Sequence, residues 1–249
     1  MKQALVVDRD GQVVSPCSPE KAQSLLASGQ ADLMGDNPLS IRLNYSVKRT
    51  VTKSKFEPTR YDGQRLLLHI CCGPCATFSV QHLRGLGWEI NGFWYNPNIQ
   101  PALEYNQRLQ ALTSLSEQIG LSMIWDKDSS DSVFQSAVKG HERDVERCTI
   151  CYRLRLRRTA QVAAERGITT ISTSLLISPY QDLGAIRQIG EEVAAEYCLR
   201  FYYENLRRGY HERTRLSRLY GLYQQTYCGC MYSAQEAEKR RNQRAISVA

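Results

Sequence analysis

No apolar run in this chain approaches the ~18 residues a membrane-spanning helix needs. The opening segment, MKQALVVDRDGQ, carries two aspartates where a secretory signal needs an unbroken apolar stretch. Both absences point to a cytoplasmic protein that does not touch a membrane. Neither a G-x-G-x-x-G fingerprint nor a Walker loop is present, so the usual marks of nicotinamide, flavin and nucleotide-phosphate sites are missing. There is no long-period repeat and no low-complexity tract. A disulfide framework is disfavoured: the nine cysteines are odd in number, and the cytoplasm is reducing. Metal or redox chemistry is the better default.

What is present suits an ordinary globular protein. The 249 residues are 42% hydrophobic and 23% charged, enough for one full domain and a small appendage. The net charge of +7 is unevenly placed. Residues 203–249 carry nine Lys/Arg against four Glu, and residues 143–158 carry six Arg against two acids. Such clustering fits a polyanion such as RNA, and equally fits solvated helix faces.

From about residue 65, short apolar runs alternate with amphipathic stretches. RLLLHI reads as a strand, CATFSVQHLRGLG as a helix and WEINGFWY as a strand. PALEYNQRLQALTSLSEQIG reads as a helix led by Pro101 and stopped at Gly120, followed by the strand LSMIW. A helix from about Cys151 to Arg166 leads into the strand ITTISTSLL, and DLGAIRQIGEEVAAEY is a further helix before LRFYY. This alternation predicts an α/β fold with a doubly wound, mostly parallel sheet, whose site lies at the carboxyl ends of the strands. CCGPC, YNPN and SPYQ each follow such an end. The first 60 residues read as strand, turn, short helix and one or two strands, a small α+β appendage. The basic linker SVKRTVTKSKFEPTRYDGQ follows it. The expected boundary is at residue 60, giving a small module over 1–60 and a main domain over 61–249.

Seven of the cysteines fall in three tight clusters: Cys71-Cys72-x-x-Cys75, Cys148-x-x-Cys151 and Cys228-x-Cys230. A tetrahedral zinc site or a four-iron cluster uses at most four thiolates, so a second metal or redox role remains for three. The start of a helix, where Cys75 would sit, favours the thiolate that metals bind. The spacing is not that of a zinc ribbon, and an iron–sulfur centre is preferred to structural zinc. Cys198, ending a helix, reads as a small core residue; Cys17 reads as a loop thiol.

Six blocks in order, HICCGPC, FWYNPNIQPALEYNQR, VKGHERDVERCTICYRLRL, TSLLISPYQD, IGEEVA and GLYQQTYCGC, resemble the QueH-type epoxyqueuosine reductases. The resemblance runs from about Arg65 to Tyr232. It implies an adenine-nucleotide-hydrolase-like fold, a 4Fe-4S cluster beside a second, non-cluster metal ion, and a substrate that is the modified wobble base of a tRNA. Some members carry an aspartate at the position of Cys75, so the second metal here would gain a thiolate; iron is the first choice for it. Turning an epoxide into an alkene removes one oxygen as water and takes two electrons and two protons. An external single-electron donor, ferredoxin- or flavodoxin-like, is therefore implied.

On this reading Cys72, Cys148, Cys151 and Cys228 hold the cluster, and Cys71, Cys75 and Cys230 hold the second metal. A one-residue shift within CC or CGC reverses a side chain's direction, so the division stays open while the membership of seven does not. Candidates for proton delivery are Tyr95, Tyr105 and Tyr180, with Glu104 and with His69, which reads equally as a satisfied core histidine. Glu104 and Arg108, four residues apart on a helix, read also as a surface pair. Asn96 and Asn98 are turn formers or substrate contacts. Arg147, Arg153, Arg155 and Arg157 flank the C-x-x-C where an anticodon loop would approach, and EAEKRRNQR is a candidate phosphate arm.

The N-terminal extension, VVDRDGQVVSPCSPEKAQSLLASGQADLM followed by NPLSIRL, resembles the small N-terminal module of IscB-type RNA-guided nucleases over about 40 residues. That leaves it as an accessory tRNA contact or a packing module. Two rivals to the reductase reading remain. One is a zinc-stabilised RNA-binding scaffold; the other is a dithiol oxidoreductase using Cys72 and Cys75. Iron and sulfide in anaerobically purified protein separate the three.

Overall fold

Four consecutive buried positions, Leu66, Leu67, Leu68 and His69, mark the central strand of the main sheet. A strand buried on both faces reads as a continuous apolar run, as expected at the middle of a parallel sheet. The computed structural model describes residues 4–10, 17–36, 39–46, 60–126, 131–142 and 145–246. The chain divides into two compact units, Met1–Glu57 and Pro58–Ala249. Much of the basic linker foreseen in the sequence lies outside the described residues.

The first unit contains β1 (Leu5–Val7), α1 (Pro19–Ala27), β2 (Ala31–Asp36) and β3 (Leu39–Leu43). Strand β3 is central, parallel to β1 and antiparallel to β2. Ser18 caps α1 by accepting from the Lys21 amide at 3.4 Å, and Pro19 takes a position where its missing N–H costs nothing. The core is small: Ala4, Val6, Ala22, Ala31, Ile41 and Leu43. Cys17 pairs its backbone with Ala4.

The second unit runs β4 (Arg65–His69), α2 (Gly73–Gly85), β5 (Glu89–Trp94), α3 (Ala102–Gln118), β6 (Ser122–Trp125), α4 (Asp131–Ala137) and α5 (Glu146–Glu165). It continues with β7 (Thr170–Thr173), α6 (Leu183–Glu196), β8 (Arg200–Phe201), α7 (Tyr210–Leu219) and α8 (Met231–Ile246). The strand order is β6-β5-β4-β7-β8, all parallel. The sheet is therefore doubly wound. The two-residue period of β4 divides the core: Leu67 packs with Phe93, Ile171 and the apolar faces of α5 and α6, while Leu66 and Leu68 pack with α2 and α3. The chain leaves β4 in one direction through β5 and β6, then returns to add β7 and β8 on the other side. The switch falls at β4, and a crevice opens there at the carboxyl ends. Among the described residues no helix is long and apolar enough to cross a membrane.

Two expectations are corrected. The helix expected from about Cys151 begins at Glu146, more than a turn earlier, so Cys148 and Cys151 both lie on α5. Cys198, expected in the core, is exposed. Helix α6 ends at Glu196, and Cys198 adopts a left-handed φ of 56°, which carries its side chain out of the helical core stripe. Helices α4, α7 and α8 were not foreseen; the basic tail segment EAEKRRNQR is part of α8.

Candidate metal centre

The chain leaves β4 directly into Cys71 and Cys72, and Cys72 caps α2, whose first turn carries Cys75. All three are buried, and their sulfurs lie within 4.8 Å of one another. Sγ of Cys71 and Cys72 are 3.7 Å apart. The turn that follows the neighbouring strand β7 supplies Ser174, whose hydroxyl accepts from the Cys71 amide at 3.2 Å and lies 3.6 Å from its sulfur. Gln225 donates from Nε2 to the Cys72 sulfur at 2.8 Å.

These three thiols share one negative charge poorly. Hydrogen bonds from the Cys72 and Cys75 thiols hold Cys71 well below the usual thiol range. Burial pushes Cys72 up to about 12, and hydrogen bonding to Cys71 pushes Cys75 well up. A cation bound to all three sulfurs removes that conflict, because coordination deprotonates a thiol outright.

The other four clustered thiols line a cavity of about 660 Å³ together with Cys71 and Cys75, while Cys72 lies behind them. Cys148 and Cys151 sit one turn apart on α5. Cys228 and Cys230 flank Gly229, whose φ of 139° is open to glycine and rare for other residues. Burial pushes Cys151 up to about 12, with the nearby sulfurs of Cys228, Cys230 and Cys148 adding to it. Gln181 donates to the Cys228 sulfur at 3.6 Å, and Tyr152 donates to Gln181 Oε1 at 2.9 Å. Among the described residues only Cys71, Cys72 and Cys75 form a group tight enough to grip one ion; the second set is more widely spread. The geometry thus places Cys72 with Cys71 and Cys75, and Cys230 with Cys148, Cys151 and Cys228, a different grouping from the expected division.

The Cys228–Cys230 loop is held by a buried ion pair. Arg108 donates from Nε to Glu104 at 2.6 Å, and its two terminal nitrogens donate to the carbonyls of Cys228 and Tyr227 at 2.8 and 3.0 Å. Arg108 is 1% exposed, so the reading of this pair as surface decoration is corrected. Tyr223 donates to the other Glu104 oxygen at 2.5 Å.

Six arginines line the cavity, and the four buried ones each lie over a tyrosine ring: Arg108 over Tyr227, Arg147 over Tyr232, Arg155 over Tyr152 and Arg213 over Tyr210. Glu236, paired with Arg147 at 2.7 Å, is the one carboxylate among the described lining residues. Soft sulfur donors in a cationic wall fit an anionic, thiolate-bound metal assembly. The helical period separates the arginines foreseen as RNA contacts. Arg147 and Arg155 share the cavity face of α5 with the cysteines, whereas Arg153 and Arg157 pair with Glu192 and Glu196 on α6. Arg155 is 1% exposed, too deep to meet a phosphate approaching from solvent.

Of the tyrosines, Tyr180 lines the cavity mouth and is 78% exposed. Tyr95 and Tyr105 are not among the lining residues; Tyr105 accepts from Trp94 Nε1 at 2.8 Å. Asn98 lines the cavity, while Asn96 donates to the Ile70 carbonyl at 2.9 Å and ties its loop to the end of β4. His69 is a satisfied core histidine. Its Nδ1 meets the Thr173 hydroxyl at 2.9 Å and its Nε2 the Tyr95 carbonyl at 3.3 Å, and burial pushes the ring down to about 4. Sequence reasoning missed Ser174, Gln181, Arg213 and Gln225. Gln225 could have been found, since it lies three residues before Cys228.

A family model described as epoxyqueuosine reductase QueH matches residues 66–236, and one described as RRXRR protein matches residues 4–65. Epoxyqueuosine reductase QueH of Thermotoga maritima is 35% identical over 182 residues, covering 70% of this chain and 93% of that protein. The protein of the same name from Dehalococcoides mccartyi is 36% identical over 172 residues, covering 69% and 93%. Among solved structures, the U34-tRNA thiolase NcsA from Methanococcus maripaludis with its 4Fe-4S cluster is 13% identical, with a TM-score of 0.42, covering 73% of this chain and 67% of that one. No residue role is transferred at that level of likeness.

Proposed function

The chain belongs to the epoxyqueuosine reductase QueH family, an oxidoreductase family, and from that premise we propose that it removes the epoxide oxygen of epoxyqueuosine in tRNA as water, through an iron–sulfur centre in this cavity. The observation that carries the proposal is that six thiols from three distant segments line one cavity, with Cys72 grouped against Cys71 and Cys75, and that the cavity's buried cations outnumber its acids. Cys148, Cys151, Cys228 and Cys230 would hold a 4Fe-4S cluster, since four spread sulfurs suit a cube. Cys71, Cys72 and Cys75 would hold the second ion, and three ligands leave it an open position. When bound, these groups supply single electrons and a Lewis acid for the departing oxygen.

The chain's own residues do the rest. Gln225 orients the Cys72 sulfur, and Arg108 holds the Cys228 loop in register. Tyr180, at the mouth, is placed to donate a proton to the leaving oxygen. Arg147, with Arg240 and Arg241 of α8, lines the mouth, where anticodon phosphates would lie. The balance of two electrons and two protons requires an external ferredoxin- or flavodoxin-like donor. The first unit is proposed as an accessory module.

The test is iron and sulfide analysis of anaerobically purified protein, with mass spectrometry of nucleosides from epoxyqueuosine tRNA treated with protein and reductant. Iron, sulfide and queuosine are expected together. A colourless zinc protein that leaves the tRNA unchanged would refute the proposal and favour the RNA-binding scaffold.

A further inference from the structure

Two of the four buried cavity arginines differ from the other two in having no acid among the described residues. Arg108 has Glu104 at 2.6 Å and Arg147 has Glu236 at 2.7 Å. Arg155 is 1% exposed and donates from Nε to the Cys151 carbonyl at 3.1 Å, but its Nη2 is buried without a hydrogen-bond partner. Arg213 is 7% exposed, and its Nε is likewise buried and unpartnered. Neither forms an ion pair among the described residues. A guanidinium taken out of water costs several kcal/mol unless a compensating charge lies beside it. Stacking on Tyr152 and Tyr210 returns only a part of that, about 0.5–2 kcal/mol.

The two are placed one to each thiol set. Arg213 lies beside Cys75 and Cys72. Arg155, one turn beyond Cys151 on α5, donates to the Cys151 carbonyl at 3.1 Å and lies near enough to Cys151, Cys228 and Cys71 for thiolates of both sets to act on it. Among the described residues no carboxylate stands at either position. The missing counter-charge must come with whatever the thiols bind.

Resting on the iron–sulfur reading above, we propose that Arg155 and Arg213 are positioning residues for the metal assembly: each turns its unpartnered N–H to an anionic sulfur, and together they neutralise the assembly and raise its reduction potential. Nearby cations and hydrogen bonds to sulfur stabilise the reduced, more negative state of an iron–sulfur centre. Arg155, shared between the two thiol sets, has the larger effect. This gives the site a means of being reduced by a modest external donor while keeping the cavity closed to acids that would compete for its cations.

The experiment uses anaerobically purified full-length protein and the variants R155K, R155M, R213K and R213M. Iron and sulfide content are measured first, and EPR-monitored redox titration second. Arg155→Met is expected to lower the reduced-to-oxidised ratio at a fixed potential tenfold or more, about 59 mV for a one-electron couple. Arg155→Lys, which keeps the charge, recovers most of the shift, and the Arg213 pair behaves alike with smaller amplitude. Methionine variants that load no iron while lysine variants load fully also support the proposal. It is overturned if the methionine variants are fully loaded at the wild-type potential, or if lysine and methionine variants fail alike, which marks a packing role. Wild-type protein without iron and sulfide refutes the proposed function itself, and this inference falls with it.

Discussion

Replacing Arg108 with methionine tests whether the buried pair with Glu104 holds the Cys228 loop. Methionine approximates the arginine stem, so the main loss is charge and hydrogen bonding rather than volume. Glu104 is only 6% exposed and, among the described residues, keeps the Tyr223 hydroxyl as its hydrogen-bond partner once Arg108 is gone. Stranding one member of a buried pair costs about 3–5 kcal/mol. The carbonyls of Tyr227 and Cys228 also lose their donors, but Cys228 is exposed, so water replaces much of that loss. For a unit of this size the total corresponds to a melting shift on the order of 10 °C. Thermal melts of reduced apo-protein by near-ultraviolet circular dichroism read it directly. Adding Glu104→Gln to the variant removes the stranded charge and is expected to recover about 1–3 kcal/mol as coupling energy. A single variant that melts within ~2 °C of wild type, or a double variant no better than the single one, refutes the reasoning.

Three further outcomes are expected. Gly190→Ala places a Cβ 2.6 Å from the Phe201 ring, so α6 must shift from β8 at a cost of about 1–3 kcal/mol, measured by urea denaturation; an unchanged midpoint refutes the contact. Glu204 is held below its ordinary value of 4.5, first by its hydrogen bond with His82 and then by Tyr202. Because the folded value is depressed, its stabilisation is present above pH 4.5 and is lost as pH falls through the lowered value. Glu204→Gln should therefore flatten the urea midpoint below pH 4.5, and an unaltered acid limb counts against it. Arg240→Gln with Arg241→Gln should weaken tRNA binding and reduce the slope of log affinity against log salt by about 1–2. A slope equal to wild type removes α8 from the phosphate contacts.

The alternation of apolar runs and amphipathic helices was legible because burial leaves a period of two or of 3.6 residues in the chain itself. The elements from β4 to β8 other than α4 could be read that way, as could the membership of the three cysteine clusters, which local spacing displays. Helices α7 and α8 could not, because their composition is strongly polar and leaves too few apolar residues to mark an element. The phase of α5 was also hidden. Its start at Glu146 sends Arg147 and Arg155 to the cavity and Arg153 and Arg157 to α6, and no feature of four nearby arginines reveals which is which. The same holds for Glu104 and Arg108: their i,i+4 spacing looks identical on an exposed face and beneath the Cys228 loop.

Sequence alone determined that this is a parallel α/β protein gathering seven thiols. Which sulfurs stand together, and which cations face them without an acid, depends on distances between residues up to about 160 positions apart. Those distances are set by how the strands order around β4 and how the helices rotate against the sheet, and pairwise proximity of that range leaves no local trace in a single chain.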